Sequence, residues 1–146
     1  MVRKLQIKDI DTVNKLGEQL DNNFTKLNDL TSMITDINHC LLVATVKDIA
    51  VGFIDASISF DEADINYIII DEKYRRNGLA AKLISNLIRI NKLTKINIEV
   101  RESNTTALKF YHQQGFVKIR TIKNYYNNEN AIFLIKEISQ WKMFTY

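Results

Sequence analysis

The apolar run Tyr67-Ile68-Ile69-Ile70 is followed within a few residues by the turn Arg75-Arg76-Asn77-Gly78-Leu79-Ala80. From that turn rises a stretch with Leu79, Leu83, Leu87 and Ile88 at helical spacing. A strand feeding a tight turn and then an amphipathic helix commits this segment to a helix packed on a sheet. The turn itself has the makings of an anion cradle. Unpaired N–H groups at a helix start, a helix dipole behind them and no Cβ at Gly78 suit a phosphate or pyrophosphate. A plain strand-to-helix turn with exposed arginines would read the same way on this segment alone.

The 146 residues of the chain fit one domain spanning 1–146, with 46% hydrophobic and 25% charged residues, enough for a core without metals or disulfides. A net charge of +3 and a pI near 8.9 fall short of the clustered charge of a nucleic-acid binder, so no direct nucleic-acid partner is expected. Basic residues near Met1 precede no apolar signal core, and no run approaches the ~20 apolar residues of a membrane span. The single cysteine, Cys40, fits a reducing compartment and reads as core. A soluble cytoplasmic protein is the expectation. His39, Cys40 and His112 lack zinc-ligand spacing, and no Ser or Cys nucleophile sits in a recognisable pairing with a base.

Along the chain, 2–7 alternate as a short strand and Asp9 suits an N-cap for a helix carrying Ile10, Val13, Leu16 and Leu20. A second helix is predicted over 24–37. Strands over 40–46 and 49–59 form a hairpin through Lys47-Asp48, and 63–70 forms the next strand. A helix from Gly78 to about Lys92 follows. The strand 95–101 puts Ile96, Ile98 and Val100 on one face and Asn97, Glu99 and Arg101 on the other. Ser103 or Asn104 caps a helix bearing Ala107, Leu108, Phe110 and Tyr111 that stops at Gly115. Final strands over 116–123 and 131–138 flank a polar loop over 124–130, and the aromatic tail 140–146 is suited to covering a core edge or meeting a partner. The sum is an α/β (α+β) layered domain: a mixed, mostly antiparallel sheet of about seven strands with about four helices.

Two of these segments resemble the GCN5-related N-acetyltransferase (GNAT) superfamily, and the resemblance runs from about residue 2 to 138. Arg75-Arg76-Asn77-Gly78-Leu79-Ala80 fits its acetyl-CoA motif R/Q-x-x-G-x-G/A. Ile98-Glu99-Val100-Arg101-Glu102-Ser103-Asn104, continuing through Ala107, Tyr111 and Gly115-Phe116, resembles the LEVR-x-SN-x-x-A-x-x-LY-x-x-x-GF run of N-terminal protein acetyltransferases of the RimI type. That type acetylates the N-terminal alanine of a small-subunit ribosomal protein.

The resemblance implies acetyl-CoA as co-substrate, Glu99 as general base, Tyr111 as general acid and Asn104 as a CoA contact. It implies Ile68, Ile69 and Ile70 as the strand that aligns the acetyl-pantetheine arm. Arg75, Arg76, Asn77, Gly78, Leu79, Ala80 and Ala81 become the pyrophosphate loop, with no metal involved. Tyr125 and Tyr126 echo an Asn-Tyr-Tyr element near the peptide entrance. The aromatic-proline segment near the N-terminus of the RimI type is missing, and Ala80 replaces its commoner second glycine. The implied partner is a protein N-terminus, as a monomer or homodimer. A small amine such as a polyamine, aminoglycoside or amino acid is the alternative acceptor, and a non-catalytic CoA-binding regulator is the alternative role.

Acetyl transfer to an amine needs the amine neutral. An α-amine of pKa near 8 is ~10% neutral at pH 7, a deficit of about 1.4 kcal/mol, whereas a lysine amine near 10.4 is short by about 4.6 kcal/mol. One modestly tuned carboxylate suits the first task. Glu99 is expected to be raised in pKa by burial, although a polar-face glutamate is also at home in solvent. A phenol near pKa 10 would protonate a thiolate of pKa near 8.5 uphill by roughly 2 kcal/mol, so Tyr111 is expected mainly to donate a hydrogen bond to the leaving sulfur. A core tyrosine with a satisfied hydroxyl is the other reading of that residue.

Overall fold

A computed structural model describes residues 1–139; the aromatic tail 140–146 lies outside the described residues. One seven-stranded sheet organises the chain, in the order β1 (Val2–Lys4), β2 (His39–Val46), β3 (Ile49–Ser59), β4 (Glu62–Ile70), β5 (Lys95–Arg101), β7 (Glu129–Glu137) and β6 (Val117–Tyr126). Every neighbouring pair is antiparallel except β4 and β5, which run parallel. That exception follows from the crossover between them, helix α4 (Leu79–Asn91), because a parallel pair cannot be joined by a hairpin. Lys47 and Asp48, with φ of 51° and 64°, make the tight β2–β3 turn that the sequence predicts.

Period-two burial divides the core between the two faces of the sheet. On one face, α4 and α5 (Thr105–Gln113) cover Leu42, Ile54, Ile65, Ile70, Ile96, Ile98 and Val100 through Leu83, Leu87 and Tyr111. On the other, α1 (Ile10–Leu20), α2 (Phe24–Leu27) and α3 (Leu30–Met33) cover Leu41, Val43, Phe53 and Ile69 through Val13, Leu16 and Phe24. The second layer stops short of β5, so the Asn97, Glu99 and Arg101 side of that strand is not roofed by a helix.

The helix predicted over 24–37 is two short helices. Asn28 turns its amide back onto the Phe24 carbonyl (3.0 Å) and toward the Tyr67 hydroxyl (3.3 Å), and Asp29 caps the second helix by accepting from the Ser32 N–H and hydroxyl. Both are side chains that compete with helix propagation. Asp9 precedes α1 as predicted but does not cap it. Its carboxylate, 4% exposed, accepts from the Arg3 guanidinium at 2.7 and 3.0 Å and from the Gln6 N–H at 2.8 Å. Burial works to raise this carboxyl, but Arg3 and the Gln6 N–H together hold it below the usual carboxylate range.

A carboxyl held low stabilises the fold above its unfolded value near 3.9, and that stability drains away as pH falls through the folded value. Asp9→Asn is therefore expected to cost roughly 2 kcal/mol at pH 7. Urea unfolding of both proteins from pH 7 down to pH 2 checks this: the gap closes in acid, and a gap independent of pH contradicts it.

Candidate active site

β4 and β5 pair only over Glu62↔Lys95, Ala63↔Ile96 and Asp64↔Asn97, and then they part. From Ile65 onward the edge of β4 that faces β5 has no strand partner, and the same holds for β5 from Ile98. The cause lies in β4. Its pairing with β3 jumps from Ala56↔Ile65 to Asp55↔Tyr67, which leaves Asn66 as an extra, bulged residue. A bulge bends its strand and adds twist, so β4 leaves its parallel neighbour just beyond the third pair. It also resets alternation: Ile65 and Ile68 both pack toward α4, while Tyr67 and Ile69 pack toward α1.

Beyond the open end of this gap lies the glycine turn. Gly78 is the N-cap of α4 with φ of 73°, and Arg76 is also left-handed at 66°. A Cβ built on Gly78 meets nothing within 4 Å, so the backbone there faces open space. The first intrahelical bond is Lys82 N–H to the Gly78 carbonyl (3.1 Å), and among the described residues nothing accepts from the N–H groups of 76–81. Unpaired amides with a helix dipole behind them have the chemistry that an anion would need here.

The side chains of the turn divide their work. Asn77 donates to the Tyr74 and Arg75 carbonyls at 3.1 and 3.4 Å, and Arg75 Nε donates to the Ile70 carbonyl at 2.9 Å. Arg75 therefore braces the turn against the end of β4; like Arg76, Lys73 and Lys82, it is exposed.

Glu99 and Tyr111 lie on opposite sides of β5. Tyr111 is buried at 4% exposure in the α4–α5 layer, edge-on to Phe110 and Phe116 with ring centroids 5.2 Å away in each case. Its hydroxyl has no hydrogen-bond partner among the described residues, and burial alone pushes the phenol well above its ordinary value. Glu99 is register partner of Phe133 and points to the opposite, unroofed face, where it is exposed. The burial expected for Glu99 is thus absent, because no helix covers that part of the sheet. The two side chains meet the parted strands from either side rather than sharing one cleft.

Asn104 caps α5, its Oδ1 accepting from the Ala107 N–H at 3.1 Å, and the side chain is exposed. Tyr125 and Tyr126 fall at the end of β6, not in a loop; the predicted loop 124–130 shrinks to the turn Asn127-Asn128 because β6 and β7 continue to the Tyr126↔Glu129 pair. Their rings pack edge-on with centroids at 4.9 Å.

The sequence reading missed two members of this corner. The Arg101 guanidinium lies 4.1 Å from the Tyr126 ring centroid and 3.4 Å from Glu129, and Glu129 accepts from the Ser103 N–H at 2.9 Å. Arg101, Glu129 and the two tyrosines line one open groove, two strand positions from Glu99 on the same face. Burial raises the Tyr126 phenol, and Glu99 is near enough to add to that rise. The period-two pattern of 95–101 held the signal for Arg101.

The sheet thus parts at its one parallel pair, and a helix start with unpaired N–H groups stands beyond the open end of the gap. The chain belongs to the GNAT acetyltransferase family, whose model, an acetyltransferase (GNAT) domain, matches residues 8–130. It is 28% identical to an uncharacterized N-acetyltransferase of Methanocaldococcus jannaschii over 146 aligned residues, covering 94% of this chain and 91% of that one. It is 33% identical over 98 residues to a ribosomal protein bS18 alanine N-acetyltransferase of Haemophilus ducreyi, covering 62% and 68%. A Bacillus anthracis chain solved in complex with acetyl coenzyme A has a TM-score of 0.71 at 26% identity, covering 77% and 69%. Among the described residues no helix is long and apolar enough to cross a membrane.

Proposed function

We propose that this chain is an acetyl-CoA-dependent N-acetyltransferase of protein N-termini, with the alanine-headed N-terminus of a ribosomal protein as the leading target. The observation that carries the reading is the position of Glu99, on an open sheet face beside the parted strands and next to a groove lined by Tyr125, Tyr126 and Arg101. A single exposed carboxylate suits an acceptor that needs little help: an α-amine is already ~10% neutral at pH 7, a lysine amine far less. Likeness to a bS18 alanine acetyltransferase of Haemophilus ducreyi, 33% identical over 98 residues, adds a second support.

Acetyl-CoA supplies an acyl group activated as a thioester; the residues supply placement and proton movement. The N–H groups of 76–81 hold the diphosphate, with Arg76 adding charge. The unpaired edge of β4 over Ile68–Ile70 offers N–H and C=O groups to the amides of the pantetheine arm, much as one strand pairs with another, and polarises the acyl carbonyl. Glu99 takes a proton from the acceptor ammonium, directly or through water; the neutral amine then adds to the acyl carbon, the carbon–sulfur bond breaks, and the second proton of the nitrogen leaves to solvent. Tyr111 donates a hydrogen bond toward the leaving sulfur from the other side of the sheet.

Because burial pushes the Tyr111 phenol up, it stays protonated across the working pH range, and the proton that the thiolate finally gains comes from solvent. Tyr111→Phe is expected to lower kcat by about tenfold, the value of one hydrogen bond to a developing charge. Its pH–rate profile parallels the wild type up to pH 10; an alkaline limb lost with the hydroxyl would contradict this role.

A thiol-release assay over a panel of acceptors tests the reading. Turnover with peptides bearing a free N-terminal alanine, and none with N-acetylated peptides that carry lysine, is the expected result. Turnover confined to polyamines, aminoglycosides or free amino acids overturns the peptide assignment, and CoA binding without turnover on any amine overturns the catalytic one.

A further inference from the structure

Asp55 is a carboxylate in the middle of β3 with 1% of its surface exposed, and none of the steps above uses it. Its side chain lies on the same face of β3 as Phe53, facing the edge of the α1 layer. His39 Nδ1 sits 2.9 Å from its Oδ1, and the Asn66 amide donates to its Oδ2 at 3.2 Å and to the Ser57 hydroxyl at 2.8 Å. A buried carboxylate is costly, and an apolar side chain of similar size would serve stability at least as well. What this cluster does that an apolar residue would not is tie three strands together at one place. His39 belongs to β2, Asp55 and Ser57 to β3, and Asn66 is the bulged residue of β4.

That bulge lies two residues past the last β4–β5 pair and sets where β4 leaves β5. It also fixes which backbone groups of Tyr67 to Ile70 face the gap, since a bulge inverts the alternation of everything beyond it. Bulges are held by something or they slip. Here the partners of the Asn66 side chain are Asp55 and Ser57, and His39 in turn orients Asp55.

We infer that His39, Asp55 and Asn66 are positioning residues for acetyl transfer: the buried carboxylate locks the β4 bulge and so holds the strand edge that carries the thioester arm. This rests on the functional reading above. It separates from that reading because the cradle at 76–81 is untouched by the cluster, so co-substrate binding and chemistry respond differently.

The test uses Asp55→Asn, Asn66→Asp and the double variant in which carboxylate and amide trade places. Each single variant is expected to lower kcat by roughly tenfold to a hundredfold, as a misplacement of about 1 Å does, with KM for acetyl-CoA within about twofold of wild type. The double variant restores the pair across β3 and β4 and recovers kcat to within about threefold, a coupling that general destabilisation does not produce. Single variants with wild-type kcat, or a double variant no better than the worse single one, overturn the inference.

Should Asp55→Asn fail to fold, Asn66→Asp, at an exposed side chain, and His39→Gln carry the same kcat-against-KM comparison. Hydrogen exchange supplies a readout independent of activity. Faster exchange confined to 65–70 in Asn66→Asp supports the inference, and exchange unchanged there overturns it. If the wild type itself transfers no acetyl group, the functional reading falls, and the exchange result alone then decides whether this cluster holds the bulge.

Discussion

Glu99→Gln is expected to lower kcat at pH 7 by about tenfold, the factor by which an α-amine of pKa near 8 falls short of neutral there. Acetyl-CoA affinity stays at the wild-type value, because Glu99 is separated from the cradle at 76–81 by the length of the parted strands. Glutamine keeps the size and the hydrogen-bond acceptor and removes only the basic site. The deficit should shrink as pH rises past the acceptor's own pKa near 8, where the amine arrives neutral and the base is less needed. Initial rates from pH 6 to 9.5 with an alanine-headed peptide measure this directly. A variant with wild-type rates at every pH removes Glu99 from the reaction, and a deficit that stays constant to pH 9.5 assigns it to binding the acceptor instead.

Gly78→Val acts at the other end of the site. With φ at 73° the residue sits in the left-handed region, where a β-branched side chain costs about 1–2 kcal/mol, and urea unfolding reads that loss. No neighbour lies within 4 Å of the new Cβ, so the fold accommodates the bulk. The isopropyl group then stands in the open space that the amides of 76–81 face. Acetyl-CoA should bind at least tenfold more weakly by calorimetry, a loss of about 1.4 kcal/mol or more. Gly78→Ala, with a single added carbon, should fall between the two. Unchanged affinity in the valine variant would move the diphosphate to another part of the molecule.

What the sequence disclosed and what it withheld follow from which interactions are local. The strand 95–101, the helix over 79–91 and the Lys47-Asp48 hairpin are legible because each writes its own period or turn chemistry into adjacent residues. The break between α2 and α3 is written there too, in Asn28-Asp29, but the apolar spacing of Leu27, Leu30, Met33 and Ile34 runs through it and masks it.

Other features depend on partners far along the chain. Glu99 is exposed because α1, α2 and α3 end before β5, a matter of layer width that no local pattern states. Tyr125 and Tyr126 lengthen β6 only because β7 is there to pair with them. The cluster of His39, Asp55 and Asn66 joins residues 11 and 16 positions apart, and Asp55 stands alone in an apolar run where its partners cannot be seen.

A crystal structure with acetyl-CoA and an alanine-headed peptide bears most directly on the account. It should place diphosphate oxygens about 3 Å from N–H groups within 76–81, the thioester in the gap between β4 beyond Ile65 and β5 beyond Ile98, and the peptide amine on the Glu99 side of the sheet. A diphosphate bound away from Gly78, or an amine on the Tyr111 side with Glu99 facing away from it, would contradict it.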